Sequence, residues 1–223
     1  MKTYSRIFHR IYRKVVKILL ALAYDFQTWE EEALPPGPKI LCSNHFSSSD
    51  VHFVTTLTHD DLHMVIGPGF GIPVVGSFLG WTEQIKALEK EDRKKVVSQA
   101  VEYLKKGESV YIFPEGELNV QETLKPFKKG IALIYLEHPC PVIPIGLIAP
   151  KRRVRNKKSR AARRSMTVVS RNYYANIGKS MEFPEALEMA KENKDEACAL
   201  ITERLSASIE TLIEQIKTDK FWS

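Results

Sequence analysis

Four short, nearly continuous apolar runs punctuate the chain: "KILCSN" (39–44), "LHMVIG" (62–67), "SVYIF" (109–113) and "PVIPIGLI" (141–148). Each has strand length and little polar alternation, the pattern of strands covered on both faces. Helical stretches separate them. "SSDVHFVTTLT" (48–58) reads as a helix capped by Ser48, Ser49 or Asp50, and "EKEDRKKVVSQAVEYLKK" (89–106) as an amphipathic helix closed by Gly107. "KGIALIYLEH" (129–138) is a further helix, followed later by a strand around 166–177 and a long helix over 194–217. Strands alternating with helices predict an α/β fold: one domain with a mostly parallel or mixed central sheet flanked by helices. With 223 residues the chain can enclose one full core. Cys42, Cys140 and Cys198 stand far apart with no C-x-x-C pair, which argues against a disulfide framework and fits a reducing compartment.

The net charge of +6 is unevenly placed. Residues 1–17 hold six Lys/Arg and residues 151–164 ("KRRVRNKKSRAARR") hold nine, neither with an acid; the remainder has 18 basic against 27 acidic residues. Two basic patches on an acidic body predict an anionic partner surface. In the first patch Ile7, Phe8, Ile11, Tyr12, Val15, Ile18, Leu19 and Leu22 recur at helical spacing among Arg6, Arg10, Arg13, Lys14 and Lys17. Its longest apolar run, Ile18 to Tyr24, is too short to span a bilayer, and no small-residue cleavage site follows. A basic amphipathic helix of this kind suits the interface of an anionic membrane; the other reading packs it on the protein's own body with a solvated basic face. We therefore divide the chain into an amphipathic helix and linker (1–34), ending in the breaker "LPPGPK", and a main domain (35–223).

In parallel sheets, sites form where loops leave the C-terminal ends of strands. Two polar loops hold that position, "NHFSSSD" (44–50) and "PEGE" (114–117). His45 and Asp50 are five residues apart, which on a continuous helix is about 140° of rotation. They meet only if the chain turns between them, as three serines favour. Alone, the pair fits a capped helix start with a solvent-exposed His better than a catalytic pair.

Together these blocks resemble the glycerolipid acyltransferases of the bacterial 1-acylglycerol-3-phosphate acyltransferase type. "NHFSSSD" matches N-H-x4-D; "GSFLGWTEQIK" is loosely similar to G-x-I-x-I-x-R; "FPEGE" matches the start of F-P-E-G-x-R-S; and "CPVIPIGLI" matches an apolar V-P-V-like strand. "LKPFKKGIALI" resembles the F-K-x-G helix start, and "NIGKSM" an I-G-x-P ending, so that the likeness covers roughly residues 38–182. It implies transfer of a fatty acyl group from acyl-CoA or acyl-carrier protein to the hydroxyl of a lipid acceptor. The thioester is a co-substrate, with no cofactor and no metal. His45 would be the general base and Asp50 the group that orients its ring. Asn44, Phe113, Pro114, Glu115 and Gly116 would line the acceptor site; an alternative for Glu115 is a salt bridge to Lys128 or Lys129.

The departures bear on specificity. The Arg expected after the Glu-Gly pair is Leu118, beside Glu117, and the Arg slot of the second block falls on Lys86. Loss of a bidentate cation disfavours a dianionic head group, which points to a non-phosphate alcohol; a phosphate held by Lys86, Lys125, Lys128 and Lys129 is the other reading. Residues 151–164 contain no aromatic for base stacking, so we expect no nucleic acid; the run reads as a loop gripping anionic lipid or coenzyme A, or equally as a solvated loop. His59 and His63 have i,i+4 spacing but fall at a strand, which speaks against a metal site. The sequence thus predicts a peripheral, monotopic acyltransferase on the cytoplasmic face of a membrane; its rival is a catalytically inactive lipid-binding protein of the same fold.

Overall fold

A computed structural model describes residues 1–87, 93–119, 121, 123–149 and 172–221. Helix α1 (Thr3–Ala23) leads into β1 (Asp25–Glu30), then β2 (Ile40–Ser43), α2 (Asp50–Val54) and β3 (Leu62–Ile66). A single 3-10 turn (Pro68–Gly71), α3 (Pro73–Trp81), β4 (Ile85–Lys86), α4 (Arg93–Lys105) and β5 (Ser109–Ile112) follow. The chain continues with α5 (Gly130–Glu137), β6 (Val142–Ile148), β7 (Asn172–Ile177), α6 (Pro184–Met189) and α7 (Lys194–Phe221). The seven strands form one sheet in the order β1-β7-β6-β2-β5-β3-β4, in which only the β6–β7 pair is antiparallel.

The central strands show why the apolar runs belong inside. Side chains alternate across a strand. Ile40 and Cys42 of β2, with Val110 and Ile112 of β5, therefore enter one core layer with α4, α5 and α7. Leu41 and Tyr111 enter the opposite layer with Phe53, Val54, Leu62, Ile143 and Tyr173. On α7, Leu205, Ile209, Leu212 and Ile216 are buried, so that stripe is core. Gly107 ends α4 at φ +79°, a left-handed conformation that glycine adopts without strain.

Three boundaries differ from expectation. Residues 25–30, assigned to a linker within 1–34, form β1 and pair with β7 in parallel register from Asp25↔Asn172 to Glu30↔Ile177. The main domain thus includes residues before position 35. This strand escaped notice because "DFQTWE" is an edge strand with half its residues exposed. Second, the helix expected over 48–58 spans only Asp50–Val54, and its N-cap Ser49 makes no side-chain cap bond. Third, the Gly/Pro-rich "GPGFGIPVVG" (67–76), for which the sequence pattern predicts no element, contains the 3-10 turn and the start of α3, begun by Pro73 in its first turn, where proline is tolerated. Residues 89–92 of the amphipathic helix expected over 89–106, 166–171 of the predicted strand and the basic run 151–164 lie outside the described residues.

Helix α1 rests on the body by an unexpected face. Its buried residues are Ser5, His9, Arg13, Val16 and Leu20. Arg13 donates to the carbonyl of Asp60, His9 meets the carbonyl of Thr82 at 2.9 Å, and Tyr12 bonds His52 of α2. The apolar stripe Ile7, Phe8, Ile11, Val15, Ile18, Leu19 and Leu22 points to solvent, Leu22 being 81% exposed. The helix packs on the body, yet with its apolar face outward.

Candidate active site

Strands β2 and β5 are parallel neighbours in register, Cys42 opposite Ile112. The loops that leave them, 44–49 and 113–119, therefore start side by side, about 4.8 Å apart. This adjacency unites two segments 70 residues apart in the chain: the His45 backbone N–H donates to Glu115 Oε1 at 2.9 Å.

The 44–49 loop folds back on itself. The Asp50 amide bonds the Ser47 carbonyl at 3.1 Å, and that of His52 the Ser49 carbonyl at 2.9 Å. The turn carries His45 over the start of α2, where its Nδ1 lies 2.8 Å from Asp50 Oδ2. A carboxylate only accepts, so Nδ1 carries the proton and Nε2 presents a lone pair. Asp50 is fully buried, and the amides of Phe46 and Ser47 also donate to its Oδ2, each at 2.9 Å. It anchors the turn as well as the imidazole. The His45 side chain remains 16% exposed, so the imidazole is not sealed inside the protein. The Phe113 ring stacks on the imidazole with centroids 3.9 Å apart, fixing its plane.

Glu115 faces inward. It is 2% exposed, and its Oε2 accepts from the Asn119 side-chain amide and from the Lys125 backbone N–H. The alternative bond to Lys128 or Lys129 is not formed: Lys129 pairs with Asp195 at 2.8 Å. Asn119 also donates its backbone N–H to the His45 carbonyl at 2.6 Å. The two sides of the His45 backbone are thus held by Glu115 and Asn119. The sequence marked Glu115 but not Asn119, which stands four residues after it, at the Ser position of F-P-E-G-x-R-S.

The remaining expected residues divide. The Asn44 side chain exchanges two hydrogen bonds with the backbone of Leu147 on β6, at 2.9 and 2.8 Å, and is buried; it ties the loop to the sheet. Pro114 accepts from the Lys128 amide at 2.8 Å. Gly116 has φ +69°, and a Cβ there would lie 2.5 Å from Lys128 Nζ, so the absent side chain makes room for the lysine. Lys125 pairs with Glu117 at 3.0 Å. Lys86 lies on β4 at the sheet edge, separated from β2 by β5 and β3, about 14 Å away at the usual strand spacing. It is not brought to His45. Leu118, in the place of the expected Arg, is half-buried.

Comparison with known proteins agrees with this architecture. A family model described as Acyltransferase matches residues 26–148. The chain is 30% identical over 151 residues to the chloroplastic 1-acyl-sn-glycerol-3-phosphate acyltransferase of Brassica napus, covering 65% of this chain and 44% of the relative. It is 29% identical to the corresponding enzyme of Arabidopsis thaliana, over 65% of this chain and 42% of the relative. It therefore spans under half the length of these curated relatives. The crystal structure of the 1-acyl-sn-glycerophosphate acyltransferase PlsC from Thermotoga maritima superposes with a TM-score of 0.63 at 17% identity, covering 92% of this chain and 79% of that one; it shares the fold. The matched segment contains both loops that meet at His45, and the chain belongs to the acyltransferase family.

Proposed function

We propose that the protein transfers a fatty acyl group from acyl-CoA or acyl-carrier protein to the hydroxyl of a lipid-like acceptor at a membrane surface. The carrying observation is the His45–Asp50 pair, with Nδ1 bonded to a buried carboxylate and the imidazole partly exposed. Nε2 takes the hydroxyl proton as the acceptor oxygen attacks the thioester carbonyl. Collapse of the tetrahedral intermediate forms the ester, breaks the C–S bond, and returns the proton from the imidazolium to the departing thiolate. Asp50 stabilises the imidazolium between these steps. No serine nucleophile is needed: Ser47 is buried in the turn, where its Oγ accepts the Ser49 amide at 3.1 Å.

The outward apolar stripe of α1 supports attachment to a bilayer surface. No described helix is long and apolar enough to cross one. Exposed Arg10, Lys14 and Lys17 border the stripe, which suits anionic lipid. The patch continues onto α3, where Phe8 meets Trp81 at 6.4 Å between ring centroids and Trp81 is 59% exposed. Aromatic side chains favour this interfacial depth.

The head group of the acceptor carries a weakly held phosphate or none. Leu118 supplies no charge, Lys125 is neutralised by Glu117, and Lys129 is engaged by Asp195. Lys128, without an ion-pair partner among the described residues, is the cation beside Gly116. The test offers labelled palmitoyl-CoA and palmitoyl-carrier protein with lysophosphatidate, glycerol-3-phosphate and a total-lipid extract, with products read by mass spectrometry. A His45-dependent product establishes the transfer and its mass identifies the acceptor. Lipid binding without any such product favours the inactive lipid-binding rival.

A further inference from the structure

We infer that Tyr173 is a positioning residue of the His45–Asp50 pair, holding the carboxylate from a strand outside the matched family segment. This rests on the reading of that pair as the catalytic one. Asp50 has two oxygens in different surroundings. Oδ2 receives the imidazole and two backbone amides. Oδ1 receives the Tyr173 hydroxyl at 2.8 Å. With Asp50 fully buried, this bond satisfies an oxygen that would otherwise be left without a donor.

Tyr173 is itself fully buried, on β7. Its ring stacks on Phe53 of α2 at 3.5 Å between centroids and lies 5.4 Å from Phe46 and 5.6 Å from Phe26 of β1. The loop, α2, β1 and β7 thus close an aromatic box around one hydroxyl. Burial and the adjacent Asp50 carboxylate push the phenol well above its ordinary range, so it remains a neutral donor. Four donors on two oxygens fix the rotation of the carboxylate, and with it the direction in which His45 presents Nε2. The hydroxyl also shares the negative charge. Without it, the charge weighs more heavily on Oδ2 and attracts the imidazolium more strongly.

The titration of His45 tests this without any substrate. The other ionisable groups facing the pair are Tyr111 of β5, whose hydroxyl bonds Ser43 at 2.7 Å, and Glu115 on the His45 amide. The full chain carrying labelled histidine is titrated by NMR, with the His45 ring signal assigned from the H45A spectrum. In Tyr173→Phe the midpoint rises by about half a unit to one unit, about a three- to tenfold change in the protonation equilibrium. Tyr111→Phe, which removes a buried hydroxyl that does not touch Asp50, leaves the midpoint in place. Should Y173F not fold, 3-fluorotyrosine at this position keeps the ring and donates more strongly, and the midpoint falls. An unchanged or lowered midpoint in Y173F, or an unchanged one with fluorotyrosine, overturns the inference. Failure of the catalytic reading has a separate signature, undiminished acyl transfer by H45A.

Discussion

Replacing Glu115 by glutamine keeps the shape of the side chain and removes one acceptor. The carboxylate meets three N–H donors: the His45 amide at Oε1, and the Asn119 side chain and Lys125 amide at Oε2. A glutamine offers one oxygen and one NH2. With the oxygen in the Oε2 position two bonds survive as neutral ones, while the NH2 confronts the His45 amide, donor against donor. The opposite orientation leaves two donors opposed and is the worse arrangement. Losing one charge-assisted bond costs about 2 kcal/mol, and turning two others neutral costs about 0.5 kcal/mol each, for about 3 kcal/mol in all. At ~2–4 °C per kcal/mol for a chain of this size, the thermal midpoint falls by roughly 6–12 °C. The released His45 backbone also misdirects Nε2. Glu115→Gln therefore lowers kcat by about a hundredfold, with KM for the thioester little changed. Circular dichroism melts and a thiol-release assay read the two effects. A variant with the wild-type melting midpoint and wild-type kcat would refute the assignment of Glu115 as the clamp on His45.

Further outcomes follow from other parts of the molecule. Leu118→Arg restores a bidentate cation at the acceptor loop and lowers KM for lysophosphatidate by about tenfold, worth about 1.4 kcal/mol; an unchanged KM places the head group elsewhere. The double change Ile18→Asp and Leu22→Asp on the outward stripe of α1 removes about 3 kcal/mol or more of apolar burial in lipid, so sedimentation with anionic vesicles weakens at least about a hundredfold. Equal sedimentation would exclude this face as the lipid contact. Burial holds His9 of α1 and His52, which meets Tyr12 of α1, below the ordinary 6.5, opposed at His9 by the Thr82 carbonyl and by Asp61 and Glu83, and reinforced by Arg13. The unfolded chain then binds more protons below pH 6.5, so this contribution is fully present above 6.5 and is lost as pH falls below it. The melting midpoint should drop on acidification from pH 7.5 to 5.5, and less so in His9→Gln.

The sheet centre was legible because β2, β3, β5 and β6 are buried on both faces and so read as unbroken apolar runs. The edge strand β1 was hidden because its exposed residues dilute the pattern, and α3 because glycine and proline mask a helix that proline begins. His45, Asp50 and Glu115 were legible through their spacing and the resemblance. Their partners were not: Tyr173 lies 123 residues from Asp50, and the pairing of β7 with β6 and β1 closes the box that brings its hydroxyl to the carboxylate. The N-terminal helix shows a different limit. Periodicity identified its two faces but did not say which would turn inward, because Arg13 and His9 find carbonyl partners on the body that composition does not reveal.

The central claim, that Nε2 of His45 takes the acceptor proton, is tested most directly by the His45→Ala rate. Palmitoyl transfer by purified wild-type and H45A protein is compared on the acceptor found in the lipid extract, with folding verified by matched melting curves. The account predicts a loss of about a hundredfold to ten-thousandfold in kcat, the usual contribution of a positioned general base. An H45A protein that transfers within about twofold of wild type would contradict it.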